Sequence, residues 1–408
     1  MQVKVSLEEA QEFLLGLITP LGDEFIDLAG SFGRVLATDV VATQSLPPCI
    51  QSAVDGYALH GEDVERPEAY PTRGLALRQR LKAGEIPEQG LAAGETARVV
   101  TGGPVPDFTA AVVAEEQAQL HGNQVFINNI VAPGSNLKAA GEDFQNGEVI
   151  ARSGTPLTPG LIGVLAAMGQ SRAQVYRQPK VAVVSFGGEI VSPQETPGPG
   201  QTRDCNGPLL AALVARDGGR ITGVEILTDA DRRADQLRLQ NLISQSDLLL
   251  TIGGTAREAG DQALFILREL GARMLFWGVR IKPGSHSGAG IIDDKPVISL
   301  SGNPAACSVG YELLAAPVLR NLQGLRPLPL RLTAICTNSF PKGGGSSRFL
   351  RGYAICGQDG WRVAILPGQK SSMLRSLVGS NVLIELPEGH APVEPGARVT
   401  VLLTNPVI

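Results

Sequence analysis

Asp247-Leu-Leu-Leu-Thr-Ile-Gly-Gly254 is a run of apolar residues closed by two glycines. A short run of this kind suits a strand buried on both faces, and the glycines suit a turn where backbone can approach a ligand closely. The texture recurs on either side. Val181-Ala-Val-Val184 leads into Ser185-Phe-Gly-Gly-Glu189, and Pro296-Val-Ile-Ser-Leu300 leads into Ser301-Gly-Asn-Pro304. Helical stretches at 208–216, 231–244, 262–270 and 304–322 separate these and two further strands, 221–226 and 273–276. The alternation predicts a doubly wound α/β domain from about Lys180 to Leu325, its parallel sheet covered on both faces. Ligands of such sheets lie beyond the carboxyl ends of the strands, where helix N-termini offer N–H groups to anions. The reading is a strand edge built for a phosphorylated, anionic small molecule.

Each loop also has a plainer explanation. Ser185–Glu189 is compatible with a tight turn, and Asp261 with helix capping as well as with metal coordination. Pro304 after Asn303 is good capping chemistry by itself, and Lys282 in Ile281-Lys-Pro-Gly284 is either a cation beside the anion edge or a solvated lysine. Asp55 in Ser52-Ala-Val-Asp-Gly-Tyr57, Thr101 in Thr101-Gly-Gly-Pro104, and Glu142 with Asp143 occupy turns elsewhere. The histidines His60, His121, His286 and His390 show no metal-ligand spacing and receive no role.

Outward from the α/β segment, the 408 residues are too many for one compact core. Ser6 and Glu9 form a capping box ahead of Phe13, Leu14 and Leu17, so the chain is expected to open with a helix. Runs at 56–59, 96–100, 111–114 and 124–127 predict a small mostly-β domain, bracketed by a second, elongated module that ends in a helix from Pro159. Beyond Pro327, runs at 330–335, 348–355, 361–366, 381–386 and 399–403 predict a small all-β domain, with Pro341–Ser347 as a loop within it. A net charge of −5 suggests neither nucleic acid nor a membrane surface as partner. No stretch approaches the roughly 20 apolar residues of a span, and the start lacks a signal-like core, so a cytoplasmic chain is expected. The 5 cysteines are widely spaced and are expected to be reduced and mostly buried.

In order and spacing, Ser52–Ala58, Thr101–Pro104, Gly141–Asp143, Ile281–Gly284, Leu300–Pro304, Arg348–Gly352 and Gly368–Ser372 resemble the MoeA/gephyrin E-domain family of molybdenum insertases over nearly the whole chain. The resemblance implies a multi-domain fold: a MogA-like α/β domain (1–26 with 176–326), an elongated dimer module (27–46 with 138–175), an inserted β domain (47–137) and a small β-barrel-like domain (327–408). It implies a homodimer with an intersubunit cleft, and transfer of molybdate into adenylylated molybdopterin with release of AMP, assisted by Mg²⁺. A molybdopterin-adenylylating enzyme and molybdoenzyme maturation proteins are the implied partners.

Carried over by position, Asp55, Glu189, Asp261 and Lys282 take the catalytic places. Thr101, Ser185, Gly187, Gly188, Asp204, Gly253, Gly254, Arg280, Ser301, Gly302 and Asn303 take the binding places, and Glu142, Asp143 and Asp261 the metal places. The chain also departs from the family. Gly188 stands for an acid, Ala256 and Ala110 interrupt two further motifs, and Gly278 and Ser285 stand where basic residues flank the Lys-Pro-Gly turn. Arg280 is a candidate to restore one of those charges. The departures keep a second expectation in play, a catalytically impaired carrier that still binds the pterin or nucleotide.

Overall fold

The computed structural model describes residues 1–66, 74–228, 231–254 and 262–404. These form two compact units, one of 1–38, 153–163 and 171–408, the other of 39–152 and 164–170.

The first unit holds a seven-stranded sheet: Gln2–Val5 (β1), Lys180–Phe186 (β2), Arg220–Leu227 (β3), Leu248–Ile252 (β4), Arg273–Val279 (β5), Gly288–Ile292 (β6) and Lys295–Leu300 (β7), in the order β3-β2-β4-β7-β6-β5-β1. Its helices are Leu7–Leu15 (α1), Asn206–Arg216 (α2), Arg232–Gln245 (α3), Gln262–Glu269 (α4), Pro304–Gly310 (α5) and Ala316–Leu322 (α6). Alternate residues of one strand serve opposite faces. Val181 and Val183 of β2 pack with Leu210 and Val214 of α2 and with α1, α5 and α6, while Ala182 and Val184 pack with Leu239 and Leu242 of α3 and Leu267 of α4. Both faces are covered, as the unbroken apolar runs require. Leu250, fully buried at the centre, is a position where truncation to Ala costs about 2–5 kcal/mol.

The sheet is not purely parallel. β6 runs antiparallel to β5 and β7, a strand the sequence pattern does not announce. It joins β7 through Asp293 and Asp294, both at positive φ, a two-residue turn written without the glycine that usually marks it. Its glycines are demanded by packing: a Cβ at Gly288 would run into the Trp277 ring, and one at Gly290 would come within 2.8 Å of the Met274 sulfur.

The chain also opens differently from expectation. Before the helix comes β1, parallel to β5 at the sheet edge. The capping box is present: Glu9 N–H donates to Ser6 Oγ (3.1 Å) and Ser6 N–H donates to Glu9 Oε2 (2.7 Å). The helix expected over 304–322 is interrupted by a π-helical turn at Tyr311–Ala315. Pro317 has no N–H to donate to the carbonyl four residues back, and that carbonyl, of Leu313, accepts instead from Gln11 Nε2 (2.8 Å).

Also in the first unit, Arg331–Cys336 (β8), Ser347–Gly357 (β9), Gly360–Ile365 (β10), Val382–Leu386 (β11) and Arg398–Leu403 (β12) pair in the ring β9-β10-β8-β12-β11 and back to β9, a closed five-stranded barrel. The two-residue strand Ile281–Lys282 lies parallel to its edge at Ser347–Arg348. The second unit holds a six-stranded sheet in the order Thr109–Ala114, Gly56–His60, Glu95–Val99, Leu75–Arg80, Gln124–Ile127, Ala118–His121. Of the cysteines, Cys307 and Cys336 are buried and Cys205 partly so, while Cys49 and Cys356 are exposed, fewer buried than composition suggested.

Candidate active site

Strands β2, β4 and β7 are adjacent, and Ser185, Ile252 and Leu300 stand in register across them. Their following loops therefore emerge side by side, as the strand-edge expectation required. The glycines there answer to conformation first. Gly253 and Gly254 both lie at positive φ, and a Cβ at Gly253 would meet the Phe186 carbonyl at 2.8 Å. A Cβ at Gly187 would lie 2.8 Å from the Glu189 carboxylate, so this glycine lets the loop fold back on itself.

These loops frame a cavity of about 770 Å³, lined by Glu189, Arg203, Asp204, Cys205, Asn206, Gly253, Gly254, His286, Ser301, Gly302 and Asn303 among others. Gly187 and Gly188 are not part of that lining; the β2 loop contributes Phe186, Glu189 and Ile190. Ser185 is fully buried beneath it and donates to Asp204 Oδ2 (3.0 Å).

Asp204 is committed structurally. Its Oδ1 accepts the N–H groups of Asn206 and Gly207, both at 3.0 Å, and so caps α2. The N-terminus of α5 is partly spoken for as well, since Ala305 N–H donates to the Ser371 carbonyl at 2.9 Å. The expectation that bare helix ends cradle an anion thus needs correction: a protein carboxylate already fills one end and a loop carbonyl takes an N–H of the other. Cys205, whose thiol is pushed up by burial and then by Asp204, stays protonated and is a poor nucleophile.

A second cavity, of about 650 Å³, lies where the α/β sheet meets the barrel. Lys282, Lys342, Arg348 and Lys370 line it, with Ser285, His286, Ser301, Asn303, Gln369, Ser371 and Ser372, and no carboxylate does. Lys282 and Arg348 are register partners in the parallel pairing. Like charges set beside each other disfavour the fold, and Arg348 Nε is buried without a hydrogen-bond partner. Both are satisfied by an oxyanion with several acceptor lone pairs. Two of the cavity's cations, Lys342 and Lys370, and the serines beside Lys370 come from barrel loops whose charge pattern alone did not mark them. His286, given no role from sequence, lines both cavities, as do Ser301 and Asn303.

Arg280 does not reach either lining. Its Nη1 donates to the Lys4 carbonyl (2.8 Å), and Nη2 lies 3.6 Å from Glu9. The unforeseen β1 lies beside it and captures the charge that was expected to replace a lysine. Asp261 and Ala256 lie outside the described residues.

In the second unit, Asp55 Oδ1 accepts from both the Thr101 N–H (2.7 Å) and the Thr101 hydroxyl (2.9 Å). The backbone bond and then the hydroxyl hold the Asp55 carboxyl below its ordinary range. Glu142 and Asp143 stand in one turn, both exposed to solvent, and Glu142 Oε2 accepts from Ala139 N–H at 2.9 Å. Among the described residues no group of three or more His, Cys, Asp or Glu gathers as a metal site would require, and no helix is long and apolar enough to cross a membrane.

Three family models match the chain in sequence: the MoeA N-terminal region (domain I and II) over 5–169, a probable molybdopterin binding domain over 182–321, and the MoeA C-terminal region (domain IV) over 333–404. The chain is 28% identical over 402 residues to a molybdopterin molybdenumtransferase of Staphylococcus epidermidis, covering 98% of this chain and 96% of that one. It is 28% identical over 381 residues to one of Staphylococcus aureus, covering 93% and 91%. A molybdopterin biosynthesis MoeA protein from Pyrococcus horikosii superposes with a TM-score of 0.84 at 27% identity, over 98% of this chain and 99% of that one.

Proposed function

Because the chain belongs to the MoeA/gephyrin E-domain family, we propose that it is a molybdopterin molybdenumtransferase: it inserts molybdate into adenylylated molybdopterin and releases AMP. The observation that carries the chemistry is the pair of adjoining cavities with opposite demands. The larger is walled by glycine backbone and small polar groups together with Glu189, Asp204 and Arg203, with room for a nucleotide or pterin. The smaller is lined by four cationic side chains and no acid, which suits a compact oxyanion such as molybdate; each charge-assisted bond there is worth about 1.5–3 kcal/mol. They share His286, Ser301 and Asn303, so an anion in one sits beside a phosphorylated ligand in the other.

In this reading Lys282 neutralises the incoming oxyanion. Glu189, exposed in the first cavity, orients the water that cleaves the adenylate. Asp55, kept ionised by Thr101, serves as an anionic acceptor. Glu142 and Asp143 fit Mg²⁺ as two hard oxygen donors, the rest of its shell coming from water and substrate phosphates. When bound, the ion would supply charge neutralisation at the phosphates. Homodimerisation, with the cleft completed across the subunit boundary, and a cytoplasmic setting with a molybdopterin-adenylylating enzyme upstream complete the proposal. The carrier alternative rests on the departures at Phe186, Gly188, Ala256, Glu258, Gly278 and Ser285; full-length similarity to transferases weighs against it.

The test is direct. Purified protein mixed with adenylylated molybdopterin, molybdate and Mg²⁺ is expected to release AMP in step with molybdate consumed. AMP release at the no-enzyme rate refutes the assignment. Light scattering of the same preparation tests the dimer.

A further inference from the structure

Arg351, in β9, is 1% exposed, and no carboxylate pairs with it among the described residues. Its guanidinium donates from Nε to Ser376 Oγ (3.1 Å) and from Nη2 to the carbonyls of Gly368 (3.1 Å) and Lys370 (3.4 Å), and Nη1 has no partner. A buried cation satisfied only by neutral acceptors is costly, and burial pulls this one down to about 10, so it remains charged at neutral pH.

The acceptors belong to a loop that matters. Residues 369–372 bring Gln369, Lys370, Ser371 and Ser372 to the wall of the cationic cavity. Gln369 is tied to the Arg351 backbone through Oε1 (3.1 Å) and Nε2 (2.8 Å), and the Ser371 carbonyl accepts from Ala305 N–H (2.9 Å). Arg351 therefore grips from behind the segment whose front faces the cavity. On that front stand Lys282, Lys342, Arg348 and Lys370, with no acid among the lining residues.

We propose that Arg351 is a positioning residue for the oxyanion: its planar fork sets the 368–372 loop, and its uncompensated charge adds to the field that a bound dianion neutralises. The proposal rests on reading the cationic cavity as the oxyanion site. Lysine keeps the charge but cannot make the forked grip on two carbonyls and a hydroxyl, so Arg351→Lys separates shape from charge, and Arg351→Met removes both.

The experiment measures, on the full chain by calorimetry, the dissociation constants for molybdate and for AMP in wild type, R351K and R351M, together with the rise in melting temperature that each protein gains from added molybdate. R351K is expected to weaken molybdate about tenfold and R351M further. AMP affinity should stay within about twofold of wild type, because none of the groups that Arg351 holds, Ser376, Gly368 and Lys370, lines the larger cavity. The molybdate-dependent rise in melting temperature should shrink in the same order. A merely structural arginine lowers the melting temperature but leaves molybdate affinity alone, and that result overturns the proposal. If R351M does not fold, R351K decides: wild-type molybdate affinity in R351K refutes it. Failure of wild type itself to bind molybdate overturns the cavity reading and the proposal with it, a pattern distinct from weakening in the variants alone.

Discussion

Asp204→Ala tests whether the carboxylate at the mouth of the larger cavity is scaffold or ligand contact. The side chain is 6% exposed and accepts three hydrogen bonds, from the N–H groups of Asn206 and Gly207 and from Ser185 Oγ, each at 3.0 Å. Losing the helix cap costs about 1–2 kcal/mol, and leaving the buried Ser185 hydroxyl unpaired costs about 1–3 kcal/mol more. Because the two share one residue they do not simply add, and about 2–4 kcal/mol is expected in all. Asp204→Asn keeps an acceptor at the Oδ1 position, and the serine hydroxyl can turn to accept from the amide, so it should lose only about 1 kcal/mol. For a domain of this size that separates the variants by roughly 3–10 °C in melting temperature. Trp277 lies in β5 and is one of 2 tryptophans, so a Trp361→Phe background makes its fluorescence a probe of the α/β domain alone, which matters in a chain whose units need not unfold together. Equal stability of wild type and D204A refutes the capping argument. If D204N keeps its stability but loses AMP binding, the carboxylate is a ligand contact, and the scaffold reading fails.

Lys282→Gln and Lys370→Gln should each weaken molybdate binding about tenfold, the effect expected of one charge-assisted bond, and the salt dependence of binding should flatten; unchanged affinity in both, measured by equilibrium dialysis, removes the cationic cavity as the oxyanion site. Asp55 owes its lowered pKa first to the Thr101 N–H and then to the hydroxyl, so Thr101→Val should raise the Asp55 carboxyl part of the way to its ordinary value in an NMR titration. The sign follows: with the folded value below the unfolded one, the Asp55 bonds stabilise the protein above the usual carboxylate range near ~4, and the contribution vanishes as pH falls through the folded value. A T101V titration superposing on wild type contradicts this. Chelation by EDTA should stop AMP release and Mg²⁺ restore it, with Glu142→Gln and Asp143→Asn raising the Mg²⁺ needed; turnover indifferent to EDTA would exclude the metal role.

What the sequence made legible follows the strength of local signals. Leu248–Ile252 and Lys180–Phe186 are apolar runs leading into glycine loops, and such runs have few other places to go than the centre of a covered sheet. β6 was hidden because its first three residues are Gly288, Ala289 and Gly290, the glycines clearing Trp277 and Met274, so the side chains that identify a strand are missing where its neighbours need the room. β1 was hidden by its length, 4 residues directly before a strong capping box. The π-helical turn could be foreseen only by knowing that Gln11, some three hundred positions earlier, would answer the Leu313 carbonyl. At the site the glycine loops were visible, but who occupies the helix ends was not. Asp204 reads equally as cap or ligand contact until its three donors are in place. The cationic cavity was least legible of all, because Lys282 and Lys370 are separated in sequence and meet only when the barrel closes beside the sheet.

The departures at Gly278 and Ser285 acquire a physical meaning from that cavity. Gly278 lies at φ +102°, in the region where a lysine would be strained, so the backbone here is incompatible with the charge that the family pattern places there. Arg280 does not replace it, being held by Lys4 and Glu9. The positive charge instead enters largely from the other wall, with Lys342, Arg348 and Lys370 all supplied by the barrel and its loops against Lys282 alone from the Lys-Pro-Gly turn. The barrel is therefore more than an appended fold: Ile281–Lys282 pairs with its edge, the same pairing sets Lys282 beside Arg348, and an anion between them relieves the repulsion this creates. A site whose cations come from the sheet side and from the barrel is preorganised by their packing together, Phe349, Leu383 and Leu402 of the barrel joining the α/β core, and in the proposed reading loosening the barrel edge at Ser347–Arg348 weakens oxyanion binding before it touches the larger cavity.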